Sequence, residues 1–183
     1  MNSPKALLPY RGSTFAAHLV QVTRHPRVGV TRVVIGANAS AISEQLQVDP
    51  NFVIENPGWE RGPLSSIQTA IRTLPPGETD GLILCPVDHP LISPELVGRL
   101  IDVFDSTGCA IALPSYRGKR GHPAIFRSTL YEELLDASLN VGARQVVWAH
   151  QSEIVVVPTD EEGVVLNLND PQTLKRALES QAG

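Results

Sequence analysis

The chain has 183 residues, 42% of them hydrophobic and 19% charged, with a formal net charge of −4. That length suits one domain over 1–183, large enough to bury about 70% of its unfolded surface. The acidic balance speaks against a nucleic-acid partner, which would meet a basic face, and no apolar run nears the roughly 20 residues that cross a bilayer. Cys85 and Cys109 both lie in apolar segments and read as buried small hydrophobes, not as a disulfide framework. With no charged-then-apolar leader pattern at the amino terminus, the expectation is a reducing, cytoplasmic setting.

Taken in order, residues 1–14 are expected to be irregular, because Pro4, Pro9 and Gly12 interrupt any long element. Phe15, Leu19 and Val22 then set a helical spacing over 15–23. A β-branched strand over 31–35, a short helix over 40–47 and a brief strand over 52–54 follow. Gly62 and Pro63 open a helix that carries Ile67, Ala70, Ile71 and Leu74 on one face. The run from Leu82 to Val87 reads as a strand buried on both faces, ending in Asp88 and closed by Pro90. Ser93, Pro94 and Glu95 form a helix start for 94–105, with a cap, a proline at the first position and an acid facing the dipole. A strand over 109–113 leads to a polar, glycine-rich segment over 115–123, then a strand over 124–126 and a helix over 130–135. A helix over 142–150 is expected to bury Val146, Val147 and Trp148. A strand over 154–157 follows, then an apolar strand from Val164 that runs into Asp170-Pro171 and a last helix with Leu174 and Leu178. Strands alternating with helices predict an α/β architecture with a mostly parallel sheet.

Ligands of such sheets bind at the carboxyl edge, where the loops splay apart. Asp88 is placed there, and a carboxylate at that edge can hold a divalent metal that in turn holds phosphates; an aspartate that merely caps a turn is the plainer alternative. Lys5 is a lone cation ahead of Ala6-Leu7-Leu8, and a solvated surface lysine is its plainer reading. The Gly62-Pro63-Leu64-Ser65-Ser66 helix start offers backbone N–H groups and hydroxyls to an anion, although serine favours helix starts for its own sake. Arg117, Lys119 and Arg120 concentrate positive charge in the 115–123 segment, and His122 is pinned there between Gly121 and Pro123. Asn167 and Asn169 alternate at the end of an apolar run and can supply amide oxygens beside a carboxylate.

Ser3-Pro4-Lys5-Ala6-Leu7-Leu8, Asn56-Pro57-Gly58-Trp59, Gly62-Pro63-Leu64-Ser65-Ser66, Val87-Asp88-His89-Pro90, Arg120-Gly121-His122-Pro123, Gly142-Ala143-Arg144 and Asn167-Leu168-Asn169-Asp170-Pro171 occur in the order seen in MobA-like nucleotidyltransferases. The chain most resembles the branch containing molybdenum cofactor cytidylyltransferase, whose R-x-G-H-P element stands where this chain reads Lys119-Arg120-Gly121-His122-Pro123. The resemblance implies a Rossmann-like, three-layer α/β/α fold of the nucleotide-diphospho-sugar-transferase type. It also implies Mg²⁺-dependent transfer of a nucleotidyl group from an NTP to a phosphorylated acceptor of the molybdopterin type, with a molybdoenzyme as a possible partner. Lys5 would contact the NTP phosphates and Asp88 would bind the metal, with Asn167 or Asn169 as a second metal or pterin-side ligand. Gly62, Pro63, Leu64, Ser65 and Ser66 would form the base-and-ribose loop, and Arg120, Gly121, His122 and Pro123 the acceptor loop. CTP is favoured over GTP on the R-x-G-H-P loop.

The family pattern also places an apolar strand and an L-A-A-G-x-S-x-R-M-G loop directly before P-K-A-L-L, whereas this chain starts at the Met of that loop with Asn2 in place of its last glycine. The expectation is therefore a sheet lacking its first strand, with Met1 as an internal start of a longer natural protein. The family's closing D-I-D-T-P is Asn167-Leu168-Asn169-Asp170-Pro171 here, which exchanges two carboxylates for amides and lowers the charge offered to Mg²⁺. Two alternatives stand beside the transferase: a non-catalytic, chaperone-like module that keeps the acceptor pocket, and a sugar-phosphate nucleotidyltransferase.

Overall fold

The computed structural model describes residues 4–168. Pro4 leads into a 3₁₀ turn over Lys5–Leu7, and a small antiparallel hairpin joins β1 (Pro9–Tyr10) to β2 (Ser13–Thr14) around Arg11 and Gly12. The expected irregular stretch is therefore two compact turns. Helix α1 (Phe15–Val22) follows, its first turn capped by the Thr14 hydroxyl, which accepts from the Ala17 N–H. Strand β3 (Val33–Ile35), helix α2 (Ala39–Ser43) and strand β4 (Val53–Glu55) form a parallel β-α-β unit. Helix α3 (Pro63–Arg72) and strand β5 (Gly81–Leu84) come next, then helix α4 (Pro94–Thr107) with Ser93 as its cap.

Strand β6 (Ile111–Tyr116) turns through β7 (Lys119–Arg120) into β8 (Ala124–Arg127), and the chain continues through α5 (Tyr131–Asp136), α6 (Arg144–Ala149) and β9 (Ile154–Pro158). Strand β8 lies antiparallel between β5 and β6, and β9 runs parallel to β6 on its other flank. Thus β5, β6 and β9 share one direction and the sheet is mixed. The β3–β4 pair forms a separate ladder among the described residues.

The layers follow from period-2 alternation along strands that are apolar throughout. Ile83, Ala112, Ile125 and Val157 face α1 and α4, joining Leu19, Leu96, Val97, Leu100 and Phe104 in one core. Leu82, Leu84, Ile111, Leu113, Ala124 and Phe126 face the opposite way, onto Leu64, Ile67 and Ile71 of α3, Leu134 of α5 and Val146 of α6. This is a three-layer, Rossmann-like α/β/α fold. Cys109 is buried, and Cys85 is half-buried with its thiol pushed up to about 12 by burial; both are free.

Two expectations change. Trp148 is 61% exposed: α6 is only six residues long, and at 100° per residue three successive side chains cannot all face the sheet. The segment from Val164 is not a strand. A 3₁₀ turn over Glu162–Val164 leads into irregular backbone whose hydrogen bonds go to neighbouring loops instead of a ladder. Asn169, Asp170 and the expected last helix lie outside the described residues.

Candidate functional site

Strand β5 ends at Leu84, and the loop after it turns at once, closed by the His89 N–H donating to the Pro86 carbonyl at 3.1 Å. Asp88 sits in that turn at the carboxyl edge of the strand, with 23% of its side chain exposed. The ammonium of Lys5, brought over by the turn ahead of β1, lies 3.8 Å from Asp88 Oδ2. Two elements far apart in sequence thus place an anion and a cation together, both partly open to solvent. At that exposure the pair itself adds little stability, about 0–1 kcal/mol.

His89 and His122 complete the cluster. Their ring centroids are 4.9 Å apart, and His89 Nε2 lies 3.9 Å from Asp88 Oδ1. Burial lowers both imidazoles below their ordinary range. His89 is partly offset by the Asp88 charge, and His122 is brought down to about 4 by burial and then by His89. Both rings are therefore neutral near pH 7. The Nδ1 atoms of both rings are buried without a hydrogen-bond partner, as is Nε2 of His18, and a buried polar atom left so calls for strain, water or a ligand to account for it.

The segment after β9 holds these loops in place. The His122 N–H donates to the Val164 carbonyl and the Leu168 N–H to the Asp88 carbonyl, each at 2.8 Å, while Val164 and Leu168 are fully buried. Asn167, exposed beside Leu168, is thereby brought next to the Asp88 turn. Within the acceptor loop expected from sequence the residues part company. Gly121 donates to the Pro114 carbonyl at 2.9 Å, Pro123 is buried behind a cis peptide bond, and His122 joins Asp88. Arg120 is exposed and its Nη1 donates to Gln151 Oε1 at 2.9 Å.

The Gly62–Ser66 turn is organised by a residue to which sequence reasoning gave no role. Asn56, 2% exposed, donates its backbone N–H to the Ile35 carbonyl at 2.8 Å, joining the ends of β4 and β3. Its Oδ1 accepts from the Gly58 N–H at 3.0 Å, and its Nδ2 donates to Ser65 Oγ at 2.9 Å and Ser66 Oγ at 3.0 Å. Gly62, at φ 95°, makes the reversal into Pro63 that a residue with a Cβ resists. Ser65 Oγ donates onward to the Gly62 carbonyl at 2.7 Å. The signal in the sequence was an asparagine followed at once by Pro-Gly, a turn former that bonds its own backbone.

A cavity of about 470 Å³ lined by Val20, Arg24, His25, Val28 and Phe52 contains none of these residues. It opens at the amino ends of β3 and β4, the edge opposite to the one where such sheets hold ligands. Among the described residues no group of three or more His, Cys, Asp or Glu forms a ready-made metal cage. A single part-exposed carboxylate such as Asp88 suits a cation like Mg²⁺, which keeps several waters and does not need an all-protein shell.

A three-layer α/β fold with Asp88 just past the carboxyl end of β5 and Lys5 beside it is of the nucleotidyltransferase-like class. The chain belongs to the MobA-like NTP transferase family, whose domain profile matches residues 1–160. Nicotine blue oxidoreductase of Paenarthrobacter nicotinovorans is 30% identical over 158 residues, 79% of this chain and 75% of that protein. A molybdenum cofactor guanylyltransferase of Cupriavidus pinatubonensis is 26% identical over 179 residues, 93% and 85% of the two chains. Among solved structures, Rv0371c of Mycobacterium tuberculosis H37Rv superposes with a TM-score of 0.82 at 24% identity, covering 98% of this chain and 91% of that one. Its manganese complex gives 0.75 at 26% identity, covering 97% and 92%. No described helix is long and apolar enough to cross a membrane.

Proposed function

We propose that this protein transfers a nucleotidyl group from CTP or GTP to a phosphorylated small-molecule acceptor of the molybdopterin type. The observation that carries the reading is the Lys5 ammonium 3.8 Å from the Asp88 carboxylate at the carboxyl edge of β5. In the reaction an acceptor phosphate oxygen bonds to the α-phosphorus, the bond from that phosphorus to the bridging oxygen breaks, and pyrophosphate leaves with the bonding pair. Mg²⁺, when bound, neutralises phosphate charge. Asp88 would hold the ion, with Asn167 or Asn169 as an amide ligand. Lys5 draws the triphosphate in, and Gly62, Pro63 and Ser66 seat the base and ribose while buried Leu64 and Ser65 hold that turn from beneath. His122 faces the acceptor side, with Gly121 and the buried Pro123 shaping its loop and Arg120 held at the loop's outer end by Gln151. No side chain need act as a nucleophile, because orientation and charge neutralisation supply the rate.

The Arg120-Gly121-His122-Pro123 loop favours CTP, while relatives named guanylyltransferases favour GTP, so both nucleotides belong in the test. Calorimetric titration of each into the protein with Mg²⁺ should show binding that Asp88→Ala abolishes, and pyrophosphate release should follow when acceptor is added. Absence of binding by either nucleotide overturns the reading. The relative named an oxidoreductase motivates a second reading, which gains if no pyrophosphate is released while a nicotinamide cofactor is oxidised or reduced.

A further inference from the structure

Asn56-Pro57-Gly58-Trp59 forms a structured corner of the candidate site, yet the transfer reading gives its tryptophan no task. Trp59 opens the 3₁₀ turn Trp59–Arg61 between β4 and α3 and leaves 44% of its surface exposed. Its Cβ, Cγ and Cδ1 lie against the α-carbon of Gly36, just past the end of β3, so closely that any side chain at 36 would collide with them. The base of the indole is thereby fixed beside the carboxyl ends of β3 and β4 together. Asn56 ties this corner to the first turn of α3, since it accepts from Gly58 and donates to both Ser65 and Ser66. An indole so firmly seated, beside a glycine kept bare for it, and still nearly half open, is a surface for something that arrives.

We propose that the exposed Trp59 indole is the platform on which the base of the nucleoside triphosphate stacks. The inference rests on the nucleotidyl-transfer reading and adds to it the residue that supplies base affinity. Every nucleobase presents a π-face, so an aromatic platform binds purine and pyrimidine alike. Trp59 therefore strengthens binding without choosing between CTP and GTP, and the choice falls to hydrogen bonds made by the base edge.

The protein has two tryptophans. The other, Trp148, is exposed on α6 with the Arg144 guanidinium 6.0 Å from its ring centre. In a Trp148→Phe background the emission comes from Trp59 alone. Titration with CTP and with GTP, each with Mg²⁺, should quench it, whereas inorganic tripolyphosphate, which has no base, should bind by calorimetry without quenching. Trp59→Ala should weaken both nucleotides about tenfold and leave tripolyphosphate unchanged, and Trp59→Phe should recover most of the loss. Trp59→Leu, which keeps apolar bulk, separates stacking from folding: it should bind nucleotides as weakly as the alanine variant. The proposal is overturned if nucleotides bind without changing the emission and Trp59→Ala leaves their affinity within about twofold. It is overturned equally if Trp59→Ala weakens tripolyphosphate as much as CTP, since the ring is then a structural prop. If the unaltered protein binds neither nucleotide, the transfer reading itself fails and the platform fails with it.

Discussion

Replacing Asn56 by alanine removes one acceptor and two donors from a side chain that is 2% exposed. The bonds lost are those to the Gly58 N–H at 3.0 Å, Ser65 Oγ at 2.9 Å and Ser66 Oγ at 3.0 Å. At about 1 kcal/mol each they sum to roughly 3 kcal/mol. Ser66 is half-buried and regains water, which returns up to about 1 kcal/mol, while buried Ser65 keeps its own bond to the Gly62 carbonyl. The expected loss is therefore about 2–3 kcal/mol, or roughly 4–12 °C in Tm for a chain of this size. Urea unfolding followed by circular dichroism measures it as a lower midpoint at unchanged slope. In a Ser65→Ala background the Asn56→Ala loss should shrink by about 1 kcal/mol, because the shared bond is already gone. A loss below about 0.5 kcal/mol, or full additivity of the two substitutions, would refute the reasoning that Asn56 is the hub of this corner.

Two histidines predict opposite pH responses. Burial holds His122 at about 4 against an ordinary 6.5, so between those values the unfolded chain binds a proton that the folded chain refuses, and stability falls as pH falls through that window. His122→Gln should lessen the drop in Tm between about pH 7 and about pH 4.5, and an unchanged drop would count against the burial argument. His150 Nδ1 meets Glu153 at 2.7 Å and its Nε2 meets Glu133 at 2.9 Å, which raises it above 6.5. Its contribution is complete below 6.5 and is lost as pH rises through the raised value. The Tm difference between the parent protein and His150→Ala should therefore be larger at about pH 6 than at about pH 9, and equal differences would sink the idea. Arg127 donates to the Cys109 carbonyl at 2.8 Å and the Phe104 carbonyl at 2.9 Å, with its guanidinium 4.1 Å from the Phe104 ring centre. Arg127→Met should cost about 2 kcal/mol in thermal or urea unfolding, and a neutral result would show that these bonds are replaced by water.

The sequence by itself determined the order and kind of most elements. Apolar runs with period-2 faces gave the strands of both cores, and the Ser93-Pro94-Glu95 start placed α4 because caps and helix dipoles act within a few residues. It also placed Asp88 at a strand's carboxyl edge, since the apolar run closed by Pro90 ends there, although the strand stops at Leu84 and not at Val87 because Pro86 has no N–H for the ladder. Local rules failed where the partner lay far along the chain. Trp148 read as core because hydrophobicity alone cannot tell which face of a six-residue helix meets the sheet. The run from Val164 read as a strand because nothing in it announces that its backbone bonds go to His122 and Asp88 instead.

Only the tertiary structure decided that β8 would enter antiparallel between β5 and β6, since strand direction depends on which edge is open when the hairpin folds back. It alone brought Lys5 to Asp88, set His89 beside His122, and turned Arg120 toward Gln151. Those pairings join residues separated by tens of positions, and their energies come from burial and charge at close range. Spacing in a sequence can name the participants, but distance in the folded chain decides which of them meet.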